Sequence, residues 1–290
     1  MIINGEGAET TIVERDSDAP AFRILDVDAS GRLILNGLTV RGGVLGVRPG
    51  AGINNDGTLT ITDSIIERNR TQGSGGGIVN EGNLTVLRSI VTRNGAGPFE
   101  GAGILNLGTA TIISSSITRN LLQGTGGGIA NGRILFGNPD AGAMTIHNST
   151  ISDNTGDQVA GIFNPGVMII TNSTIANNRA LFSGSPGGIS NSGVLHIGNS
   201  TISGNTRRFP ITLTPTGISN SGILALQNTI VDQCSGPLTS LGNNIIGDPE
   251  DCDINLLSSD LAGDPGLADF VDDDMPGRGH FSLNPGSQSR

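Results

Sequence analysis

The chain contains 290 residues, among them 46 glycines and no Trp or Tyr, and only 14% of its residues are charged. This composition excludes a disordered chain, which would be more highly charged, and a collagen, because the glycines follow no three-residue period. The net charge of −10 argues against a nucleic-acid partner. No apolar run is long enough for a transmembrane segment, and the start shows no basic region followed by an apolar one, so no secretion signal is visible.

Residues 1–30 contain short β-rich pieces, such as Thr11-Ile12-Val13, and we interpret them as an irregular first coil. A repeated phrase follows, whose first element is a Gly-Ile pair with an asparagine two residues after the isoleucine. The pairs, spaced by 25, 26, 25, 33, 27 and 29 residues, are Gly52-Ile53, Gly77-Ile78, Gly103-Ile104, Gly128-Ile129, Gly161-Ile162, Gly188-Ile189 and Gly217-Ile218. A phrase that recurs at a nearly fixed period indicates a solenoid.

Two further apolar elements complete the phrase. The second alternates apolar and polar residues, as in Leu59/Ile61 and Leu195/Ile197, which is the pattern of a strand with one buried face. The third is centred on Ile66, Val91, Ile117, Ile151, Ile175, Ile202 and Ile230. Three strands in so short a repeat leave no room for a helix. We therefore predict an all-β fold: a single right-handed parallel β-helix solenoid of about eight to nine coils, with three short strands per coil and an irregular C-terminal tail.

A corner of small polar residues precedes the third element. It contains Asn148-Ser149, Asn172-Ser173, Asn199-Ser200 and Asn228-Thr229. Asn tolerates the left-handed backbone of a tight bend, and stacked Asn amides can bond from coil to coil. The Asn-Ser-Thr triplets also match a glycosylation acceptor, but they track the coil period, so we favour the corner interpretation.

The repeat stops after Val231. Cys234 and Cys252 flank a turn-rich segment, which suits a local disulfide that would staple the end of the stack, and two free thiols are the alternative. Ten of the 26 Asp and Glu residues lie between Asp248 and Asp274. We divide the chain into a β-helix over residues 1–247 and an acidic, irregular segment over residues 248–290.

The Gly-Gly-Ile…Asn phrase and endings such as Ile117-Thr118-Arg119-Asn120 resemble repeats of bacterial right-handed parallel β-helix proteins, which include polymorphic outer-membrane proteins and the pectate-lyase-like superfamily. The closing stretch, with Asp260-Leu261-Ala262-Gly263-Asp264-Pro265 and Asn284-Pro285-Gly286-Ser287, is similar to the end of choice-of-anchor Q proteins. This resemblance implies a secreted or surface-anchored protein.

Chemistry on this scaffold would need acids grouped on one face, because related lyases and hydrolases of acidic polysaccharides use Ca²⁺ held by carboxylates or a carboxylate cluster. No pair of acids recurs on adjacent coils between Gly52 and Ile230. We therefore assign no catalytic residue, metal or cofactor. The alternative is a Ca²⁺ site formed by Asp269, Asp272, Asp273 and Asp274, for which a solvated acidic loop is the simpler interpretation.

Two features could bind a ligand. Arg68, Arg93 and Arg119 occupy one position in three adjacent coils, so stacking would place them in an outer row ~5 Å apart that suits an acidic ligand or simply faces solvent. Loops along one edge carry apolar tips, which either fold back over the stack or form an exposed stripe for a partner. These residues are Phe99, Leu121, Leu122, Leu181, Phe182, Phe209 and Ile211.

We expect a non-catalytic, secreted or surface-displayed adhesive or recognition stalk that binds a polysaccharide or a cell-surface protein. The alternative is a lyase or glycoside hydrolase acting on an acidic polymer. The open first coil predicts self-association through its unpaired strand edges.

Overall fold

The structure of the protein, a computed structural model, describes residues 1–135, 138–182, 184–208 and 216–287. Over these ranges the chain is all-β and contains no helix. The strands stack coil upon coil into a parallel β-solenoid of about eight turns.

The strands of the first coils are β1 (Ile2–Asn4), β2 (Ile12–Glu14), β3 (Leu25–Val27), β4 (Arg32–Asn36), β5 (Thr39–Arg41), β6 (Val44–Leu45), β7 (Ile53–Asn55), β8 (Thr58–Thr62), β9 (Ile65–Glu67), β10 (Arg70–Thr71), β11 (Ile78–Asn80), β12 (Asn83–Leu87), β13 (Ile90–Thr92), β14 (Gly95–Ala96) and β15 (Ile104–Asn106). The middle coils contain β16 (Thr109–Ile113), β17 (Ser116–Thr118), β18 (Leu121–Leu122), β19 (Ile129–Leu135), β20 (Asn138–Ala141), β21 (Ala143–His147), β22 (Thr150–Ser152), β23 (Thr155–Gly156), β24 (Ile162–Asn164), β25 (Val167–Thr171), β26 (Thr174–Ala176), β27 (Arg179–Ala180) and β28 (Ile189–Asn191). The last strands are β29 (Val194–Gly198), β30 (Thr201–Ser203), β31 (Thr206–Arg207), β32 (Ile218–Asn220), β33 (Ile223–Gln227), β34 (Ile230–Pro237), β35 (Thr239–Ser240), β36 (Ile245–Asp248), β37 (Cys252–Asp253), β38 (Leu261–Ala262), β39 (Leu267–Val271) and β40 (His280–Leu283).

Equivalent strands of successive coils pair in parallel and form four long sheets. Sheet 1 contains β1, β4, β8, β12, β16, β21, β25, β29, β33 and β35. Sheet 2 contains β2, β5, β9, β13, β17, β22, β26, β30, the first half of β34, β36 and β38. Sheet 3 contains β6, β10, β14, β18, β23, β27 and β31. Sheet 4 contains β3, β7, β11, β15, β19, β24, β28, β32 and the second half of β34.

Sheet 3 adds a fourth strand to the three that the sequence predicts for each coil. Its strands are only two residues long, as in Gly95–Ala96 and Leu121–Leu122. A two-residue strand is too short to show apolar alternation, so sequence periodicity could not reveal it.

The interior is filled by columns of aliphatic side chains, one from each coil. Ile117, Ile151 and Ile175 are each 0% exposed, as the sequence predicts for the third element, and they lie on paired strands of sheet 2. Each such side chain contributes roughly 2 kcal/mol by leaving water. No coil could bury these side chains alone, so the stack is the unit that folds.

The Gly-Ile element brings the backbones of adjacent coils together at the corner that leads into sheet 4. A Cβ atom at Gly103 would lie 2.5 Å from the carbonyl oxygen of Gly128 and 2.9 Å from Nδ2 of Asn120. Only glycine fits this approach, which explains why the phrase repeats it.

Buried asparagines form two ladders along the solenoid. In the first, each side-chain amide donates to the next coil's Oδ1 at 2.6 to 2.8 Å, through Asn55, Asn80, Asn106, Asn131, Asn164, Asn191 and Asn220. In the second the bonds measure 2.9 to 3.1 Å, through Asn69, Asn94, Asn120, Asn154, Asn178 and Asn205. These ladders satisfy polar groups that would otherwise be costly to bury.

The predicted asparagine corner is a sharp bend, but its amides do not form a continuous ladder. Asn148, Asn172, Asn199 and Asn228 are exposed, with φ between 49° and 51°. In the described residues, the one amide-to-amide bond at this corner runs from Asn228 to Asn199 at 2.7 Å. Successive coils are linked instead at the next residue, a buried Ser, because the backbone N–H of Ser149 donates to Oγ of Ser173.

The two ends of the stack differ. At the start, β1, β2 and β3 pair with the next coil and already follow the solenoid. At the other end, Cys234 and Cys252 are joined by a disulfide with a Cα–Cα distance of 5.2 Å. Parallel stacking continues to β38.

The tail contains more order than its composition indicates. Strands β39 and β40 form an antiparallel pair, and the rings of Phe270 and Phe281 lie 5.3 Å apart within it. We call this pair and the loop that joins its strands, residues 267–283, the tail hairpin.

The predicted insertion between Arg133 and Ala143 leaves the stack undisturbed. Strands β19 and β20 pair antiparallel with each other. On either side of them, β16 and β21 remain aligned, with Ile112 opposite Ile146. The extra residues are therefore accommodated outside the repeat.

Candidate ligand-binding groove

A groove of about 340 Å³ lies on the outer face of sheet 2. The first-coil loop around Ala8, Glu9 and Ile12 forms one wall, and Asp272 and Asp274 of the tail hairpin lie at the other. Strands β5, β9, β13 and β17 supply the floor between them. Each strand presents alternate side chains outward because its central residue, such as Ile66 or Val91, points into the core.

Three arginines line the groove: Arg41, Arg93 and Arg119. Arg68, Arg93 and Arg119 do occupy equivalent bends, with φ of 53°, 53° and 56°, so the predicted alignment of these positions holds in the structure. Arg68 itself does not line the groove. Arg41 does not occupy the repeated arginine position, but its register would have identified it, because it lies opposite Glu67 in sheet 2.

Glu67 lies at the centre of the arginines. Its carboxylate oxygens are 3.8 Å from Arg41, 3.7 Å from Arg68 and 3.9 Å from Arg93, and its side chain is only 13% exposed. One carboxylate thus offsets three neighbouring guanidinium groups that would otherwise repel each other. Arg68 contributes to the groove through this contact.

A second ion pair fixes Arg41. Its Nη2 donates to Oε2 of Glu14 at 2.8 Å. This hydrogen bond lowers the pKa of Glu14 and raises that of Arg41. The Arg41 guanidinium is thereby held over the first-coil side of the groove.

The floor combines apolar side chains with a buried hydroxyl. Ile65 and Ile90 are half-buried outward residues of β9 and β13. Thr92 is 5% exposed, and within the described residues its Oγ1 has no hydrogen-bond partner. The floor between the arginines is therefore partly apolar.

The tail hairpin contacts sheet 2 at Arg119. Nη1 of Arg119 donates to Oδ1 of Asp274 at 2.7 Å, and this bond raises the pKa of Arg119. The backbone N–H groups of Gly277 and Gly279 donate to the hydroxyls of Ser116 and Thr150, each at 2.9 Å. The hairpin therefore bounds the groove and covers the sheet beyond it.

Asp153 is a second acid whose charge interacts with Arg119 at this end of the row. It occupies the bend equivalent to Arg119, with φ of 54°. Burial raises its pKa, while the positive charge of Arg119 acts in the opposite direction. Negative charge on Asp272 also raises this pKa, so Asp153, Asp272 and Arg119 form one electrostatic group.

The acidic residues considered for Ca²⁺ serve other contacts. Oδ1 of Asp272 accepts the N–H of Asp274, and Oδ1 of Asp273 accepts the N–H of Met275. Asp269 lies in β39. Across the described ranges, no group of three or more His, Cys, Asp or Glu residues is arranged to hold a metal ion.

Some of the apolar loop tips are exposed, as a stripe for a partner requires, and another is buried against the stack. Phe99, Leu121 and Phe182 are 50%, 54% and 55% exposed, whereas Leu122 is fully buried. Phe99 and Leu121 line a more open cavity of about 760 Å³ that shares Arg93 with the groove. Phe209 and Ile211 lie outside the described residues.

No protein-family model, curated protein or solved structure matches this chain. In the part of the chain that the structure describes, no helix is long and apolar enough to cross a membrane.

Proposed function

We propose that this protein is a non-catalytic recognition stalk of the bacterial right-handed β-helix type, secreted or displayed at the cell surface, that binds an acidic polysaccharide along the outer face of sheet 2. The resemblance to pectate-lyase-like and choice-of-anchor proteins supports the scaffold and the location. The observation that carries the binding proposal is the line of Arg41, Arg93 and Arg119 in one groove.

A linear polymer suits this geometry because both partners repeat. Successive coils present one outward side chain about every 5 Å along the axis, the spacing of paired strands. A polymer lying along the axis could pair its acidic groups with arginines of neighbouring coils. The guanidinium group binds carboxylate or sulfate with two parallel hydrogen bonds, which favours such groups over neutral sugars.

Titration calorimetry with oligogalacturonate, sulfated dextran and neutral dextran tests the proposal. We expect binding of an acidic polymer, and a loss of about tenfold or more in affinity for Arg93→Gln combined with Arg119→Gln. Arg179→Gln is the matched control, because Arg179 is an exposed residue of β27 on sheet 3. Equal affinity for neutral and acidic dextrans would contradict the proposal.

A lyase or glycoside hydrolase on the same face is the second candidate, and Asp153 is the observation that favours it. A carboxyl group with a raised pKa can donate a proton, and Asp272 with Arg119 would be its charged neighbours. Incubation with the same polymers, with and without Ca²⁺, tests it through the release of reducing or unsaturated ends. Turnover that disappears in Asp153→Asn, with binding intact, would replace the first proposal by this one.

A further inference from the structure

The strongest further feature is the contact between the tail hairpin and the groove. Asp274 lies 155 residues from Arg119 in sequence, and its carboxylate forms a 2.7 Å ion pair with that guanidinium. Asp272 lines the same groove. The protein's own carboxylates thus lie where the acidic groups of a polymer would bind.

We propose that the tail hairpin is a displaceable strap, in which Asp274 occupies the anion position on Arg119 and limits access to the groove. This inference rests on the proposed function, since it concerns the regulation of the same site. An acidic polymer would bind by exchanging its own carboxylate or sulfate for that of Asp274.

The charge of the groove supports the strap. Three lining arginines face four lining acids, of which Glu9 and Glu67 belong to the solenoid and Asp272 and Asp274 to the tail. With the strap in place the acids exceed the arginines by one. With the strap displaced, three arginines face two acids, so the formal charge changes from negative to positive and an acidic polymer is attracted.

In the described residues, few hydrogen bonds and no strand pairing attach the strap to the solenoid. Strands β39 and β40 pair with each other, and in the described residues neither is paired with a strand of the solenoid. The side chain of Asp274 is 69% exposed, so water and salt screen its ion pair. Beyond that pair, the hydrogen bonds from the hairpin to the solenoid involve Ser116 and Thr150.

Gly279 provides a way to displace the hairpin without changing charge. A Cβ atom there would lie 2.5 Å from Cγ2 of Thr150 and 2.7 Å from Cζ of Phe270. Thr150 belongs to sheet 2 and Phe270 to the hairpin itself, so we expect Gly279→Ala to shift the hairpin relative to sheet 2 and to repack Phe270. Because all charges remain, its effect on binding reports position alone.

Calorimetric titration with oligogalacturonate and sulfated dextran compares the wild-type protein with Asp274→Asn, Asp273→Asn and Gly279→Ala. We expect Asp274→Asn and Gly279→Ala to bind about fivefold more tightly at low salt, the size of an exposed ion pair, and the gain in affinity should shrink as salt is added. Asp273→Asn removes the same charge one residue away, where the side chain bonds within its own turn, and should stay within about twofold of wild type.

Hydrogen exchange gives an independent measurement. Saturating polymer should speed exchange of the Gly277 and Gly279 amides, because displacement breaks their bonds to Ser116 and Thr150. If wild type binds polymer while Asp274→Asn gains no affinity and these amides stay protected, the strap is refuted and the binding function stands. If no variant binds either acidic polymer, both proposals are wrong.

Discussion

Buried asparagines fix how successive coils of this solenoid stack on one another. Oδ1 of Asn154 accepts hydrogen bonds from the backbone N–H and the side-chain amide of Asn120, both at 3.0 Å. Its own amide donates to Ile117 and to Asn178 at 2.9 Å. Each ladder amide therefore links three successive coils, in a position that no apolar residue could occupy without leaving polar groups unsatisfied.

Asn154→Ala should destabilise the fold by about 3 kcal/mol, because two donors and two acceptors each lose a hydrogen-bond partner. Urea unfolding followed by circular dichroism measures the change. The control is Asn172→Gly, at an exposed bend with φ of 51°, which glycine adopts without strain and which should stay within about 0.5 kcal/mol of wild type. Equal losses for the two variants would show that the ladder adds nothing beyond the bend.

Asp232 should make stability depend on pH. Burial raises its pKa from 3.8 to about 6, although the N–H groups of Gly204 and Gln233 bond to its carboxylate. Folded Asp232 therefore holds its proton more tightly than the unfolded chain does. Its stabilising effect is complete below about pH 4 and is lost as the pH rises through 6, amounting to about 3 kcal/mol.

Chemical denaturation of wild type and Asp232→Ala between pH 4 and 7 tests this sign. The free energy of unfolding of wild type, relative to the variant, should fall as the pH rises. Groups with lowered pKa values, such as Glu14 beside Arg41 and Asp63 beside Arg88, contribute equally to both proteins. A difference that stays constant or rises with pH would show that Asp232 does not titrate as described.

At the scale of the element, what the sequence predicts depends on the length of the pattern. Alternation over five residues, as in Thr58–Thr62, predicts a strand and the face it buries, and Leu59 and Ile61 are indeed in the core. The two-residue strands of sheet 3 show no period. The tail hairpin lies outside the repeat and contacts residues far away in the sequence, so no local pattern predicts that Asp274 lies beside Arg119.

The candidate groove was predictable from the sequence only where its residues belong to the repeat pattern. Equivalent repeat positions identified Arg93 and Arg119, since stacking turns a sequence period into a row in space. Arg41 could have been found by aligning it with Glu67, whereas Thr92 could not, because its lack of a hydrogen-bond partner depends on its surroundings. The apolar loop tips follow no repeat position in the sequence, and only the structure separates the exposed Phe99 from the buried Leu122.

The C-terminal element should depend on its disulfide. Cys234 and Cys252 are 18 residues apart and connect β34 to β37. Replacing both by serine should cost about 3 kcal/mol, the usual effect of a cross-link that closes a loop of this size. Thermal unfolding, with limited proteolysis at residues 236–251, measures the loss, and an unchanged midpoint with an uncut loop would contradict the prediction.

At the scale of the whole molecule, the first coil is less buried than the coils that follow it. Ile3, Val13 and Leu25 are only partly buried, whereas the residues opposite them in the next coil are fully buried. In the described residues, β1 pairs with β4 alone. In the described residues, a strand edge without a partner lies beside these partly buried apolar side chains, an arrangement that favours pairing with a second chain.

For the polypeptide of residues 1–290, we expect concentration-dependent association through this coil, measured by sedimentation velocity. Glu6, Glu9 and Glu14 lie near the same end, so repulsion should weaken association at low salt and screening should strengthen it. Val13→Lys should abolish it, and Val167→Lys, at an exposed position on sheet 1, should not. A monomer at all concentrations and salts would refute the prediction.

The bend that contains β19 and β20 shows that the length of a coil can change while the strands of neighbouring coils stay aligned. Although 33 residues rather than 25 or 26 separate the Gly-Ile pairs there, Ala110 and Ile112 still face Met144 and Ile146. A foreign epitope inserted into this bend would therefore be displayed at one fixed position along the solenoid axis, and the coils on either side would keep their alignment. The solenoid could therefore serve as a scaffold that presents an inserted peptide at a known position along its axis.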